Sequence, residues 1–228
     1  MIPKRIIQIY DNNNLPMVYK ISQEIIIDKC KDYYYILYTP SEIIEFIINN
    51  YPQYIDLYKS LNKINSYYLF TLLELYTFGG IYLSFDIILY KSLNELLNHN
   101  YCIMPLSSNN SIDKYCIATN KNNKFIFYLI LQISTKFNTN KTFINNKILY
   151  NLYNLYKNNS YYVKLIYGEY NSCFGNFLYN IKLHPKERDI KYPAWFNNTV
   201  YDNNTKKKIK ITLLEDIRWL HSIDYSFI

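Results

Sequence analysis

Between Ser66 and Leu89 an apolar helical pattern runs into two adjacent glycines and then into an apolar strand pattern that carries an acid. Leu69, Leu72, Leu73 and Tyr76 recur at i, i+3, i+4 and i+7, which predicts a helix over Ser66 to Phe78. Gly79-Gly80 ends it with a turn that side chains resist. Ile81 to Leu89 reads as a strand. Alternation along it puts Tyr82, Ser84, Asp86 and Ile88 on one face, and Ile81, Leu83, Phe85, Ile87 and Leu89 on the other. An acid in such a run is costly to bury unless it meets a cation or several donors. Ligand sites in open α/β sheets lie beyond the carboxyl ends of strands. Asp86 is therefore expected at the carboxyl end of an interior strand, facing a cleft, with the glycines at the other end. The plainer alternative is an acid that caps a neighbouring helix.

The elements before this segment alternate. Arg5 to Tyr10 reads as a buried strand, Met17 to Cys30 as a helix and Tyr33 to Tyr38 as a second strand. Thr39-Pro40-Ser41-Glu42 is a helix start: Thr39 can cap, Pro40 suits the first helical position and Glu42 can close the capping box. That helix is predicted to about Asn50, and a further helical segment follows Tyr51-Pro52 to Leu61. A short helix is expected from Ser92. Such alternation predicts an α/β domain with a mostly parallel sheet flanked by helices. The second half is less regular. Strands are expected over Tyr101 to Pro105, Tyr115 to Thr119 and Tyr161 to Tyr167, helices over Lys124 to Ser134 and Phe143 to Tyr156, and a hairpin around Asp202 to Thr205 as a small C-terminal elaboration. No linker or repeat stands out, so residues 1–228 read as a single domain.

The 228 residues carry a formal net charge of +7, which favours anionic partners such as phosphates, nucleic acid or acidic lipid. The 28 Tyr and 12 Phe accompany runs of Asn, Ile and Lys, the mark of A/T-rich codons. Residue identity at exposed positions is correspondingly less informative. Cys30, Cys102, Cys116 and Cys173 form no CxxC pair, and with His99, His184 and His221 there is neither a zinc pattern nor HExxH. Packed thiols in a reducing compartment are expected. The apolar run at the start is too short for a signal peptide, and Phe125 to Ile133 is too short to span a bilayer. A cytoplasmic protein without a transmembrane segment is the expectation.

The segment Leu75-Tyr76-Thr77-Phe78-Gly79-Gly80-Ile81-Tyr82-Leu83-Ser84-Phe85-Asp86 resembles the core of glycosyltransferase family 32, whose members carry a DXD motif. The opening Ile2-Pro3-Lys4-Arg5-Ile6-Ile7-Gln8-Ile9-Tyr10 resembles the family's Ile-Pro-Lys-x-Ile-His-Gln-x-Trp, and Tyr33 to Thr39 with Tyr51-Pro52 agree as well. The resemblance covers about residues 2 to 95. It implies a GT-A-type, Rossmann-like fold, with residues 1–97 as the nucleotide-sugar-binding half and 98–228 as the acceptor-side half. It also implies a retaining transfer from a UDP- or GDP-sugar to a carbohydrate or protein acceptor, assisted by Mn²⁺ or Mg²⁺. Asp86 would be the metal ligand and, through the cation, the catalytic residue. The donor would meet Gln8, Tyr10, Tyr68, Thr71, Gly80, Tyr82 and Ser84, and His221 would be a late metal ligand. Three places depart from the family: its upstream Asp and Arg fall on Tyr68 and Thr71, and the first DXD acid falls on Ser84.

Two rival readings stay open. One is a relative that kept the fold and nucleotide binding without catalysis. The other is a basic nucleic-acid-binding protein, although no DNA- or RNA-binding motif is present and no specific nucleic acid partner is expected. Trp195, Trp219 and Lys206 to Lys208 read as packing or solvated positions.

Overall fold

A computed structural model describes residues 1–85, 88–89, 92–97, 102–106, 116–140, 149, 153–155, 163–167, 174–175, 199–202 and 207–210. Strand β1 spans Arg5–Ile9, helix α1 Met17–Lys29 and strand β2 Tyr34–Tyr38. Helix α2 (Pro40–Asn50), a 3-10 turn (Pro52–Tyr54), α3 (Ile55–Ser60) and α4 (Lys63–Phe78) then lead to β3 (Gly80–Leu83). Beyond it come β4 (Ile88–Leu89), α5 (Asn94–Leu97), β5 (Cys102–Leu106), β6 (Cys116–Thr119), α6 (Lys124–Asn140), β7 (Val163–Tyr167), β8 (Phe174–Gly175), β9 (Thr199–Asp202) and β10 (Lys207–Lys210).

Six strands form the central sheet in the order β2-β1-β3-β6-β5-β7. The α/β class and the flanking helices agree with the sequence. The sheet is mostly parallel, as expected, with one reversed strand: β1 runs parallel to β2 and β3, β5 runs parallel to β7, and β6 lies antiparallel between β3 and β5. The reason is length. Residues 107–115 separate β5 from β6, fewer than the dozen or so that a parallel crossover needs. The expected hairpin forms, with β9 and β10 antiparallel.

Alternation in β1 sorts the chain onto two faces. Ile7 and Ile9 join a core built with Ile43 and Ile47 of α2, Leu69, Leu72 and Leu73 of α4, and Phe125 and Leu129 of α6. Ile6 and Gln8 point to the opposite face. There Tyr35, which pairs with Ile6, receives a hydrogen bond from Gln23 of α1.

Local chemistry explains the boundaries. Glu42 accepts from the Thr39 backbone N–H at 2.8 Å and from its hydroxyl at 2.6 Å, so α2 starts where the capping signal lies. Helix α4 begins three residues before the apolar pattern because Asn62 caps it, its Oδ1 accepting from Asn65 N at 3.1 Å. It ends at Gly79, with φ 69°, followed by Gly80 with φ 121°. A Cβ on Gly79 would lie 2.7 Å from Lys121 N and 2.9 Å from Pro3 Cδ. The glycines thus admit both the turn and the close passage of two neighbouring chain segments.

One expected element is divided. The strand predicted over Ile81 to Leu89 ends at Leu83, and Ile88–Leu89 pairs with Phe174–Gly175 in a separate two-stranded sheet. Among the described residues β6 begins at Cys116, opposite Leu83, where β3 also ends. The single strand expected over Ile81 to Leu89 is therefore corrected to two short ones, with Asp86 outside the described residues. Among the described residues no helix is long and apolar enough to cross a membrane.

Candidate functional site

Strands β1 and β3 are parallel neighbours, with Ile6 opposite Ile81 and Ile7 opposite Tyr82, so their carboxyl ends lie side by side. Tyr10 follows β1 and extends the ladder by donating its N–H to the Tyr38 carbonyl at 3.0 Å. Ser84 and Phe85 follow β3. Here three aromatic rings converge. Tyr10 meets Phe85 edge-on with centroids 5.9 Å apart and Tyr19 of α1 at 5.5 Å, and Tyr19 stacks on Phe85 at 5.0 Å. Phe85 is buried, while Tyr10, Tyr19 and Ser84 are half-buried. The triad joins the ends of β1 and β3 to the first helix, at the place where open α/β sheets bind ligands.

Behind Tyr10 on the same face of β1 stands Gln8, fully buried. Its Oε1 accepts from the Tyr35 hydroxyl at 2.7 Å, and that hydroxyl accepts from Gln23 Nε2 at 3.0 Å. Burial pushes the Tyr35 hydroxyl up to about 12, so it stays protonated and donating. The Gln8 Nε2 has no hydrogen-bond partner among the described residues. A buried donor left unsatisfied costs about 1–3 kcal/mol, so this one calls for an explanation.

The other sequence-expected site residues do not gather here. Gly80 sits at the amino end of β3, four residues before Ser84 and roughly 13 Å away along an extended chain. Its conformation serves the approach to Arg5, whose Cβ and carbonyl oxygen would each be 3.0 Å from a Gly80 Cβ. Tyr82 pairs with Ile7 and packs against the core on the α4 side, opposite Gln8. Tyr68 is buried in that same core, where desolvation pushes its hydroxyl well above the usual tyrosine range. Thr71, also buried, donates its hydroxyl to the Tyr67 carbonyl at 2.8 Å, one turn back in α4. Asp86, His184, His221, Trp195 and Trp219 lie outside the described residues.

At the outer rim, Asp11 pairs with Lys63 and accepts from the Tyr67 hydroxyl at 2.8 Å. The Lys63 hydrogen bond holds its carboxyl below the ordinary range, so it remains an anion. Tyr19, Tyr35 and Gln23 were not singled out in the sequence. In a chain this rich in tyrosine, the spacing of one more Tyr in a helix carries no signal.

Comparison with known proteins agrees with this geometry. A family model for the glycosyltransferase sugar-binding region containing the DXD motif matches residues 16–103. Inositol phosphoceramide mannosyltransferase 3 of Schizosaccharomyces pombe is 34% identical over 99 residues. That stretch is 43% of this chain and 28% of the relative, so the chain spans under a third of the relative's length. Among solved structures, the PaToxG glycosyltransferase superposes with a TM-score of 0.52 at 19% identity, covering 69% of each chain, which shows a shared fold. The fold and the end of β3 together define a GT-A-type α/β domain. Residues 16–103 of it are similar to the sugar-binding region of the DXD-containing glycosyltransferases.

Proposed function

We propose that this chain transfers a sugar, with retention, from a UDP- or GDP-sugar to a carbohydrate or protein acceptor. The observation that carries the reading is the contact of Tyr10 with Phe85. It joins the position of the family's donor-site aromatic to the chain segment Ser84-Phe85-Asp86. In the proposal Tyr10 offers the base a ring face, Ser84 a hydroxyl to the donor's sugar or ribose, and Asp86 a carboxylate to a cation.

Among the described residues no group of three His, Cys, Asp or Glu side chains could hold a metal ion. A cation here would instead rest on Asp86, with His221 as a candidate second ligand, and complete its shell with diphosphate oxygens and water. That donor set suits Mn²⁺ or Mg²⁺, hard cations that keep several waters. When bound, the cation supplies charge neutralisation to the departing nucleoside diphosphate. Cys30, Cys102 and Cys116 are buried, and a reducing compartment such as the cytoplasm is part of the proposal.

The test is hydrolysis or transfer of UDP- and GDP-sugars with Mn²⁺, with EDTA, and in Asp86→Asn. The reading expects turnover that needs the cation and disappears in the variant. Undiminished activity in EDTA would exclude Asp86 as a metal ligand.

A second reading, a relative that binds nucleotide without catalysis, is favoured by Tyr68 and Thr71. Where the family has an Asp and an Arg, this chain has a core tyrosine and a threonine whose hydroxyl is committed to its own helix. Nucleotide binding without turnover for any sugar donor would select it.

A further inference from the structure

We propose that the outer edge of β2 is an interface between two copies of this chain, which pair their Tyr34–Tyr38 strands antiparallel about a two-fold axis through Ile36.

Strand β2 ends the six-stranded sheet on one side. Its inner edge is spent on β1: Tyr34 donates its N–H to the Lys4 carbonyl at 2.9 Å, and the Tyr38 carbonyl accepts from Tyr10 N at 3.0 Å. Backbone groups alternate along a strand, so Tyr34, Ile36 and Tyr38 face β1, and the N–H and C=O groups of Tyr35 and Leu37 face outward. The next outward donors on either side are taken. Tyr33 N donates to the Cys30 carbonyl at 3.0 Å, and Thr39 N to Glu42 Oε2 at 2.8 Å. Tyr35 and Leu37 have no backbone partner on the outer side among the described residues.

Folded proteins protect such an edge with lysine, proline or a bulge. Tyr33 to Tyr38 carries no charge and no proline, and Tyr34 is 67% exposed. On the α1 side, Ile27 lies one turn beyond Gln23, the residue that reaches Tyr35, and it too is exposed.

The edge is its own complement. About Ile36 the sequence Tyr34-Tyr35-Ile36-Leu37-Tyr38 has a tyrosine at each end and large apolar residues between. A two-fold axis there sets Tyr35 of each copy against Leu37 of the other as a hydrogen-bonded pair, which uses every outward group. Tyr34 of each copy then meets Tyr38 of the other on the opposite face, as an aromatic cross-strand pair. Charge selects the same direction. Lys4, Lys29 and Lys31 outnumber Asp28 and Asp32 around the start of the strand, whereas Glu42 and Glu45 follow its end with no basic residue before Lys59. Antiparallel pairing brings the basic start of one strand to the acidic end of the other; parallel pairing would set like beside like.

The experiment is sedimentation of the full chain at micromolar concentration, with crosslinking to fix the register. Wild type is expected to run as a dimer at twice the 27.6 kDa chain mass. Leu37→Pro removes an outward N–H and no bond to β1, and Leu37→Lys places a charge on the edge. Each should weaken dimerisation by about tenfold or more while circular dichroism stays that of wild type. Ile36→Cys lies on the axis, where a non-hydrogen-bonded pair has Cα atoms about 4.5 Å apart, within disulfide range. Mild oxidation should give a reducible dimer in this variant and not in Ile64→Cys, an exposed position at the start of α4. A monomeric wild type overturns the inference, as does a dimer that survives both Leu37 variants or gives no crosslink at position 36. Slow amide exchange at Tyr35 and Leu37 in a monomer would show that the chain covers its own edge, and overturns it as well.

Discussion

The Arg5 guanidinium and the Glu74 carboxylate meet at 2.6 Å, joining β1 to the last turn but one of α4. Glu74 is fully buried, Arg5 also donates to the Gly79 carbonyl at 2.9 Å, and its guanidinium lies 4.9 Å from the Phe78 ring centre. One side chain thus fixes the helix, the glycine turn and the first strand together. Breaking a buried pair strands a charge. Arg5→Met should cost about 3–5 kcal/mol in urea denaturation, and adding Glu74→Leu should recover most of it.

Burial is the larger influence on Glu74 and raises its pKa, with Arg5 acting in opposition. A folded-state pKa above the unfolded one favours the protonated form. The contribution is fully present below the ordinary glutamate range and is lost as pH rises through the folded value. The stability of wild type relative to Glu74→Gln should therefore decline with rising pH over that window. A flat difference would show that Arg5 cancels the burial penalty.

Gly79→Ala should be among the more damaging small substitutions. Its φ of 69° is strained for alanine, at about 1–3 kcal/mol, and the added Cβ would lie 2.7 Å from a backbone nitrogen. Thermal unfolding of the variant should show a cost above that conformational range, since backbone cannot yield as a side chain tip does.

Ser84 offers a neutral hydroxyl where the family has an acid. A hydrogen bond with a charged partner is worth about 1.5–3 kcal/mol, against about 1 for a neutral one. Ser84→Asp should tighten nucleotide-sugar binding by about tenfold with Mn²⁺ present. Without the cation the new charge repels Asp86, so the gain should vanish. Calorimetry with and without Mn²⁺ reads both outcomes; a gain that ignores the metal would contradict the arrangement.

Much of the first half was legible in the residues. Capping at Thr39 and Pro40, the apolar face of α4 and Gly79-Gly80 are local signals, and each element lies within a few residues of its predicted place. The sheet was less so. Whether β6 runs parallel or antiparallel depends on a connection's length and on which neighbour it joins. The end of β3 at Leu83 lies opposite the first residue of β6, 33 residues later. The same holds for the site. Gln8 and Tyr10 carry the family pattern, but Tyr19, Tyr35 and Gln23 reach that face only through the pairing of β1 with β2 and the seating of α1. Tyr82 shows the converse, since its face is set by its register with Ile7.

The account's central claim is a nucleotide site at the joined ends of β1 and β3, and thermal unfolding with UDP or GDP and Mn²⁺ tests it most directly. Ligand at a hundred times its dissociation constant adds about 2.7 kcal/mol, a rise of roughly 5–10 °C for a domain of this size. Wild type should show that rise with at least one nucleotide and lose it in EDTA. Asp86→Asn should abolish it, and Tyr10→Ala should weaken binding by the about 1–3 kcal/mol that stacking on a base contributes. No rise in wild type with either nucleotide, or one that persists in both variants, would contradict the claim.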